Sequence, residues 1–162
     1  MDKVYLLLGS NKGDRQAFLS AARYRIELLA LEGINASFIY ESEPWGFDAS
    51  TWFLNMAISL DSALGPLDLI ERLLKIEADL GRVRSDESTG YESREIDIDI
   101  IFYGRKVLDT SRLTLPHPRM HQRRFVLEPL CDIAPGFVHP VFGKTVRELL
   151  DECQDKSIVR RI

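Results

Sequence analysis

Only two cysteines, Cys131 and Cys153, occur in the 162 residues. They stand in no metal-ligand spacing and form no framework, which excludes a disulfide-stapled secreted scaffold and fits a reducing compartment. No apolar run is long enough to span a bilayer, and Met1, Asp2 and Lys3 lead into a short strand-like run without a charged-then-apolar export signal. A soluble cytoplasmic protein with no membrane partner is the expectation. Basic charge is scarce as well: 21 Lys and Arg against 25 Asp and Glu leave a formal charge of −4. That gives no overall attraction to nucleic acid, so any anion must be met by a local cluster of arginines. Repeats, low-complexity tracts and linkers are missing, and the length suits one domain over 1–162 that buries its core without staples.

What the chain does have is a strict alternation of acidic and apolar residues at 93–104, the signature of a strand. Ile96, Ile98, Ile100 and Phe102 are expected on one face. Glu95, Asp97, Asp99 and Ile101 are expected on the other, with residues two apart separated by roughly 6.7 Å. Two carboxylates leaning into one volume repel each other unless a divalent cation accepts their hard oxygens. A solvated acidic face and a Mg²⁺ site both fit the strand alone. Context favours the metal: Arg94 precedes the pair, and Leu115-Pro116-His117-Pro118-Arg119 with Arg123 and Arg124 follows it, rich in donors for phosphate oxygens.

Around this strand the pattern is regular. An apolar run at 4–8 enters the turn Gly9-Ser10-Asn11-Lys12-Gly13, which lacks the Gly-Lys-Ser/Thr ending of a phosphate loop and reads as tight strand-to-helix geometry. Asp14 caps a helix expected to run to about Glu32, with Phe18, Ala22, Ile26 and Leu29 as its stripe and Gly33 as its stop. Strand-like runs at 36–41 and 53–60 flank a long aromatic segment at 42–52, which reads as a ligand-covering loop or as a loop merely anchored by its aromatics. Pro66 opens a second helix with Leu69, Leu73, Ile76 and Leu80 as core stripe and Gly81 as stop; Glu77 borders its apolar face. Residues 85–92 read as a polar loop with arginines at its base. Short helices are expected at 123–133 and 146–153. The order strand, helix, strand, strand, helix, strand, then a mostly helical tail, predicts an α+β fold: a ferredoxin-like split βαβ sheet with helices packed on it and a C-terminal helical extension.

With the acidic strand, the Leu115-Pro116-His117-Pro118-Arg119 segment and Ser42-Glu43-Pro44-Trp45-Gly46 together, the chain resembles the 6-hydroxymethyl-7,8-dihydropterin pyrophosphokinases of folate biosynthesis along essentially its whole length. The resemblance implies transfer of the terminal diphosphate of ATP to the pterin hydroxymethyl oxygen, with release of AMP and with two Mg²⁺ ions. By the same resemblance Asp97 and Asp99 match the metal ligands. Arg82, Arg84, Arg94 and Arg123 match phosphate-contacting positions, with Arg82 and Arg94 beside the aspartates as catalytic residues. His117 and Glu77 lie at nucleotide positions, and Ile70, Leu74, Ile100 and Leu113 look like the surround of adenine. Asn55 matches the amide that reads the pterin edge, Phe53 and Phe125 the aromatic sandwich, and Ser42, Pro44, Trp45 and Gly46 the segment that closes the pocket. The chain departs from the family pattern at Phe53, Leu74, Glu43, Pro118 and Thr89-Gly90-Tyr91. ATP and the pterin are the implied partners, and a monomer is the expectation.

Two rivals are compatible with parts of the pattern. A Mg²⁺-dependent nucleotidyltransferase also uses paired aspartates but moves the nucleotide. A ferredoxin-like RNA-binding module needs exposed aromatics on its central strands and a basic face.

Overall fold

Residues 2–44, 51–81 and 95–162 are described by the computed structural model. Its centre is made by the apolar runs that open the chain and follow the aromatic segment. Strand β1 (Asp2–Ser10) and strand β4 (Phe53–Ser62) pair antiparallel from Asp2↔Ser62 to Ser10↔Leu54. On the other side of β1 lies β5 (Asp97–Tyr103), antiparallel, from Gly9↔Asp97 to Val4↔Tyr103. The far edge of β4 is shared by β2 (Ala30–Ala36) and β3 (Tyr40–Ser42), and β8 (Val159–Arg161) pairs onto β3. The sheet order is β5-β1-β4-β3-β8, with β2 on β4; β6 (Leu108–Asp109) and β7 (Thr114–Leu115) form a separate small hairpin.

Both faces of the sheet are covered, which is why β1 and β4 read as nearly continuous apolar runs. Helices α1 (Arg15–Glu27) and α2 (Pro66–Asp79) bury Leu19, Ala22, Ile26, Leu69, Leu73 and Ile76 against the face made by Leu6, Leu8, Met56, Ile58, Ile98 and Ile100. Helices α3 (Arg124–Ile133) and α4 (Val146–Glu152) bury Val126, Leu127, Leu130, Val146 and Leu149 against Leu7, Ala57, Ile101 and Phe102. Asp14 caps α1 by accepting from the Ala17 N–H, and Thr145 with Glu148 forms a capping box at α4. Cys131 is buried, Cys153 is half-buried, and both are free thiols.

Four expectations are corrected. Phe102 does not share a face with Ile96, Ile98 and Ile100. The register between β1 and β5 shifts at Tyr5/Leu6, so that Tyr5 faces Phe102 and Leu6 faces Ile100, and the extra residue, Ile101, turns Phe102 into the second core. Helix α1 stops at Glu27, well before Glu32, because Ala30 already pairs with Ser62; Gly33, at φ 96°, lies inside β2 where its register slips. The single strand expected at 36–41 is two strands: the Ser37 hydroxyl accepts the Ala57 N–H and donates to the Phe38 carbonyl, interrupting the ladder. The tail, helical through α3 and α4, returns to the sheet as β8.

The turn after α3 depends on a neutral histidine. His139 stacks on Phe142 with centroids 4.1 Å apart, and its Nδ1 accepts from the N–H groups of Val141 and Phe142. Burial first, then the neighbouring His121, pushes its pKa from 6.5 down to about 4. The unfolded chain therefore takes up this proton at higher pH than the folded one. Its contribution to stability is complete above about 6.5 and is lost as pH falls through about 4. Urea midpoints measured between pH 7 and pH 4 should show this slope in the wild type and a flatter one in His139→Asn, which can accept a hydrogen bond without titrating. Equal slopes would remove His139 as the source.

Candidate active site

On the face carrying α3 and α4, one row of cross-strand neighbours runs Asp97–Gly9–Asn55, and the next runs Asp99–Leu7–Ala57. Directly opposed residues share a face, so both acids and the amide of Asn55 stand on the same side of the sheet. Asp97 and Asp99 are half-buried, whereas Ile101 beyond them is fully covered. Asn55 is buried, and its Nδ2 donates to the Ser42 hydroxyl at 2.7 Å, which fixes the plane of the amide. Gly9 was read in the sequence only as a turn residue, yet it is the floor between the acids and the amide. A Cβ there would meet Asn55 Oδ1 at 3.2 Å and the Phe53 ring at 3.5 Å. A glycine inside a strand pattern is the signal that could have revealed it.

Two further segments converge on this face. The N-terminal end of α3 presents Arg123 and Phe125. The Arg124 N–H at this end is accepted by Asp155 at 3.0 Å, and the Arg123 guanidinium lies 5.7 Å from the centroid of the Phe125 ring. Arg123 is buried, which lowers its pKa but leaves it a cation. Phe125 is half-buried and packs against the core that includes Leu7 and Ala57, the strand neighbours of Gly9 and Asn55. After β7 and the cis bond Leu115–Pro116, the His117 N–H donates to the Ile101 carbonyl at 3.0 Å, docking that segment on the outer edge of β5. Burial pushes the His117 pKa down, the charge of Asp97 pulls it up and Arg119 lowers it further, so the imidazole stands within the field of Asp97.

The same edge is held from the α2 side. Glu77 is 3 % exposed, and its carboxylate accepts the Ile98 N–H, between the two aspartates, at 2.7 Å. Ile70, Ile100 and Leu113 belong to the first core, Ile100 fully buried and the other two at its margin, while Leu74 is exposed one turn beyond Ile70. Ser42 is buried and Pro44 half-buried at the end of β3. Arg82, Arg84, Arg94, Trp45, Gly46 and Tyr91 lie outside the described residues. Among the described residues no three His, Cys, Asp or Glu side chains gather as a metal cluster. Asp97 and Asp99 are a carboxylate pair whose hard oxygens could hold a divalent cation such as Mg²⁺.

A family model for 7,8-dihydro-6-hydroxymethylpterin-pyrophosphokinase matches residues 5–135. The chain is 42% identical to the 2-amino-4-hydroxy-6-hydroxymethyldihydropteridine pyrophosphokinase of Methylorubrum extorquens, covering 99% of both. It is 39% identical to the enzyme of the same name from Aquifex aeolicus, covering 94% of this chain and 92% of that one. A folic acid synthesis protein of Pneumocystis carinii is 37% identical over 97% of this chain, which spans only 21% of that longer protein. Among solved structures, the wild-type HPPK-DHPS of Plasmodium falciparum superposes with a TM-score of 0.72 at 15% identity, over 93% of this chain and 44% of that chain. At that identity the likeness concerns the fold.

The Glu77 contact predicts its own cost. Glu77→Leu leaves the Ile98 N–H buried without its acceptor and should destabilise the fold by about 1–3 kcal/mol, whereas Glu77→Gln, which keeps an acceptor, should lose less. Urea denaturation of the two variants measures the difference, and equal losses would mean that the hydrogen bond is not what holds the edge.

Proposed function

Because the chain belongs to the 7,8-dihydro-6-hydroxymethylpterin-pyrophosphokinase family, we infer that it transfers diphosphate from ATP to the hydroxymethyl group of 6-hydroxymethyl-7,8-dihydropterin, leaving AMP, as a step of folate biosynthesis. The observation that carries this reading is the row Asp97–Gly9–Asn55. It sets the two acids and the Asn55 amide one strand apart on one face. The architecture fits a ferredoxin-like split βαβ sheet, since β5 and β4 flank β1 and β2 lies beyond β4. Helices on both faces argue against the rival RNA-binding module, which needs an open strand surface.

On this reading Asp97 and Asp99 hold Mg²⁺, two ions in all, which would neutralise the triphosphate and supply charge stabilisation during transfer. Asn55, its plane set by Ser42, reads the donor and acceptor edge of the pterin. Phe53 and Phe125 stack on the ring, and the missing side chain at Gly9 leaves room for the Asn55 amide and the Phe53 ring that face it. Ser42 and Pro44, followed by Trp45 and Gly46, close the pocket. Arg123, buried beside Phe125, offers a guanidinium to phosphate oxygens, joined by Arg82, Arg84 and Arg94; Arg82 and Arg94 stabilise charge on the leaving AMP. His117 and Glu77 border the nucleotide, with Ile70, Leu74, Ile100 and Leu113 around adenine. No side chain needs to act as a nucleophile: the pterin oxygen attacks the β-phosphorus, and positioning does most of the work. A soluble cytoplasmic monomer is the state proposed.

Asp97→Ala and Asp99→Ala should each lower Mg²⁺-dependent AMP formation by on the order of a thousandfold. Far-UV circular dichroism should remain native, because removing one of two repelling acids spares the apolar faces. Near-normal turnover in either variant would remove the metal assignment, and release of free pyrophosphate by the wild type would indicate nucleotidyl transfer instead.

Asn55→Ala should weaken pterin binding by about 10- to 100-fold, since an unpaired heterocycle edge is costly to bury, with little change for ATP. Calorimetric titration of each ligand distinguishes the two, and equal losses would contradict the pocket.

A further inference from the structure

Ser42, which holds the amide of Asn55, sits on the shortest of the strands paired with β4. Strand β3 is three residues long, pairing Tyr40↔Asn55, Glu41↔Leu54 and Ser42↔Phe53, and so short a strand holds its place poorly by its own ladder. Its stability has to come from elsewhere. Side chains alternate, so Glu41 points to the sheet face opposite Ser42, towards α1 and away from the ring.

There Glu41 is gripped from two sides. Its Oε2 accepts from Arg15 Nη1 at 3.0 Å, and the same nitrogen donates to the Trp52 carbonyl at 2.8 Å. Its Oε1 accepts from Arg160 Nη2 at 2.8 Å, and the Arg160 guanidinium lies 5.3 Å from the centroid of the Trp52 ring. One carboxylate thus ties the residue before Ser42 to the residue before Phe53, through a helix and through the C-terminal strand. Neighbouring contacts run the same way. Glu43 exchanges two hydrogen bonds with Ile158, its carboxylate accepting at 2.7 Å and its N–H donating at 3.2 Å, and Asn11 Nδ2 donates to the Thr51 carbonyl at 3.4 Å. The hydrogen bonds from Arg160 and Arg15 hold the Glu41 carboxyl below its usual range.

We infer that Glu41, held between Arg15 of α1 and Arg160 of β8, is a positioning residue that sets the spacing between Ser42 and Asn55 and thereby the affinity for the pterin. Glu41 and Arg160, opposed across β3 and β8, lie on the face of the sheet away from Asn55. Isolated surface ion pairs contribute little to stability, and the role here is geometric: the carboxylate and two guanidiniums join both chain segments that carry the pocket. The inference rests on the pterin reading of Asn55 and Ser42.

Steady-state kinetics of Arg160→Ala and Glu41→Ala, with both substrates varied, test it. The expected result is a rise of about tenfold in KM for the pterin, with kcat and KM for ATP within about twofold of wild type, because loosened positioning of a binding edge is felt by the ligand it reads. Arg160→Lys, which keeps a cation beside Oε1, should recover part of that loss. A merely structural role would reduce the active fraction and lower kcat without this split. Pterin KM values unchanged in both variants, or equal rises for both substrates, would overturn the positioning role. If Glu41→Ala fails to fold, Arg160→Ala, at an exposed position, decides alone. A wild-type chain without pterin turnover sinks the reading beneath the inference, an outcome distinct from normal wild-type turnover with unaltered variants.

Discussion

The register of β1 between its two neighbours is the constraint on which the rest depends. Gly9 faces Asp97 on one side and Asn55 on the other, so three side-chain positions from distant parts of the chain fall into one row. A slip of one residue in either pairing would send the acids or the amide to the opposite face. That slip is opposed by the apolar alternation of β1, whose Leu6 and Leu8 must meet α1 and α2 while Leu7 meets α3 and α4. Packing on both faces therefore protects the geometry of the site. A Cβ on Gly9 would press on the Asn55 carboxamide, so the row accommodates that side chain because the residue beside it is glycine.

The face bearing the row is divided in two. Ile101 and Phe102 are buried in the core that includes Leu127, Leu130 and Met120, whereas Asp97 and Asp99, earlier on the same strand, keep some exposure. The bulge at Ile101 makes this division sharp, because it presents two consecutive apolar residues to one core. Polar chemistry and close packing thereby share one strand without mixing. At the start of α3, which carries Arg123 and Phe125, the backbone is tied by Asp155 from the segment that leads to β8.

The edges of the sheet are where its remaining hydrogen-bonding groups are met. On β5, Glu77 takes the Ile98 N–H, and the His117 N–H reaches the Ile101 carbonyl. On β3, β8 supplies the ladder and Arg160 the carboxylate's partner. Covering an edge prevents unwanted pairing. Here it also immobilises the strand next to the functional residue, so the acids at one edge and Ser42 at the other are each backed by a side chain from the opposite face.

Much of this was legible in the chain itself. The alternation at 93–104 determined that Asp97 and Asp99 share a face, Asp14, Pro66 and Gly81 marked helix ends, and the motifs at 42–46 and 115–119 carried the family. Local pattern could not reveal the turn of Phe102 into the second core, because a bulge arises from the mismatch between two strands and appears in neither alone. Nor could it show that Gly9 is a floor, that Glu77 is buried on a backbone N–H, or that residues 159–161 close the sheet beside β3. Side-chain periodicity reports which face a residue takes within its own element, whereas register, edge coverage and the meeting of distant residues are set by pairing across the fold, and only the tertiary structure decides them.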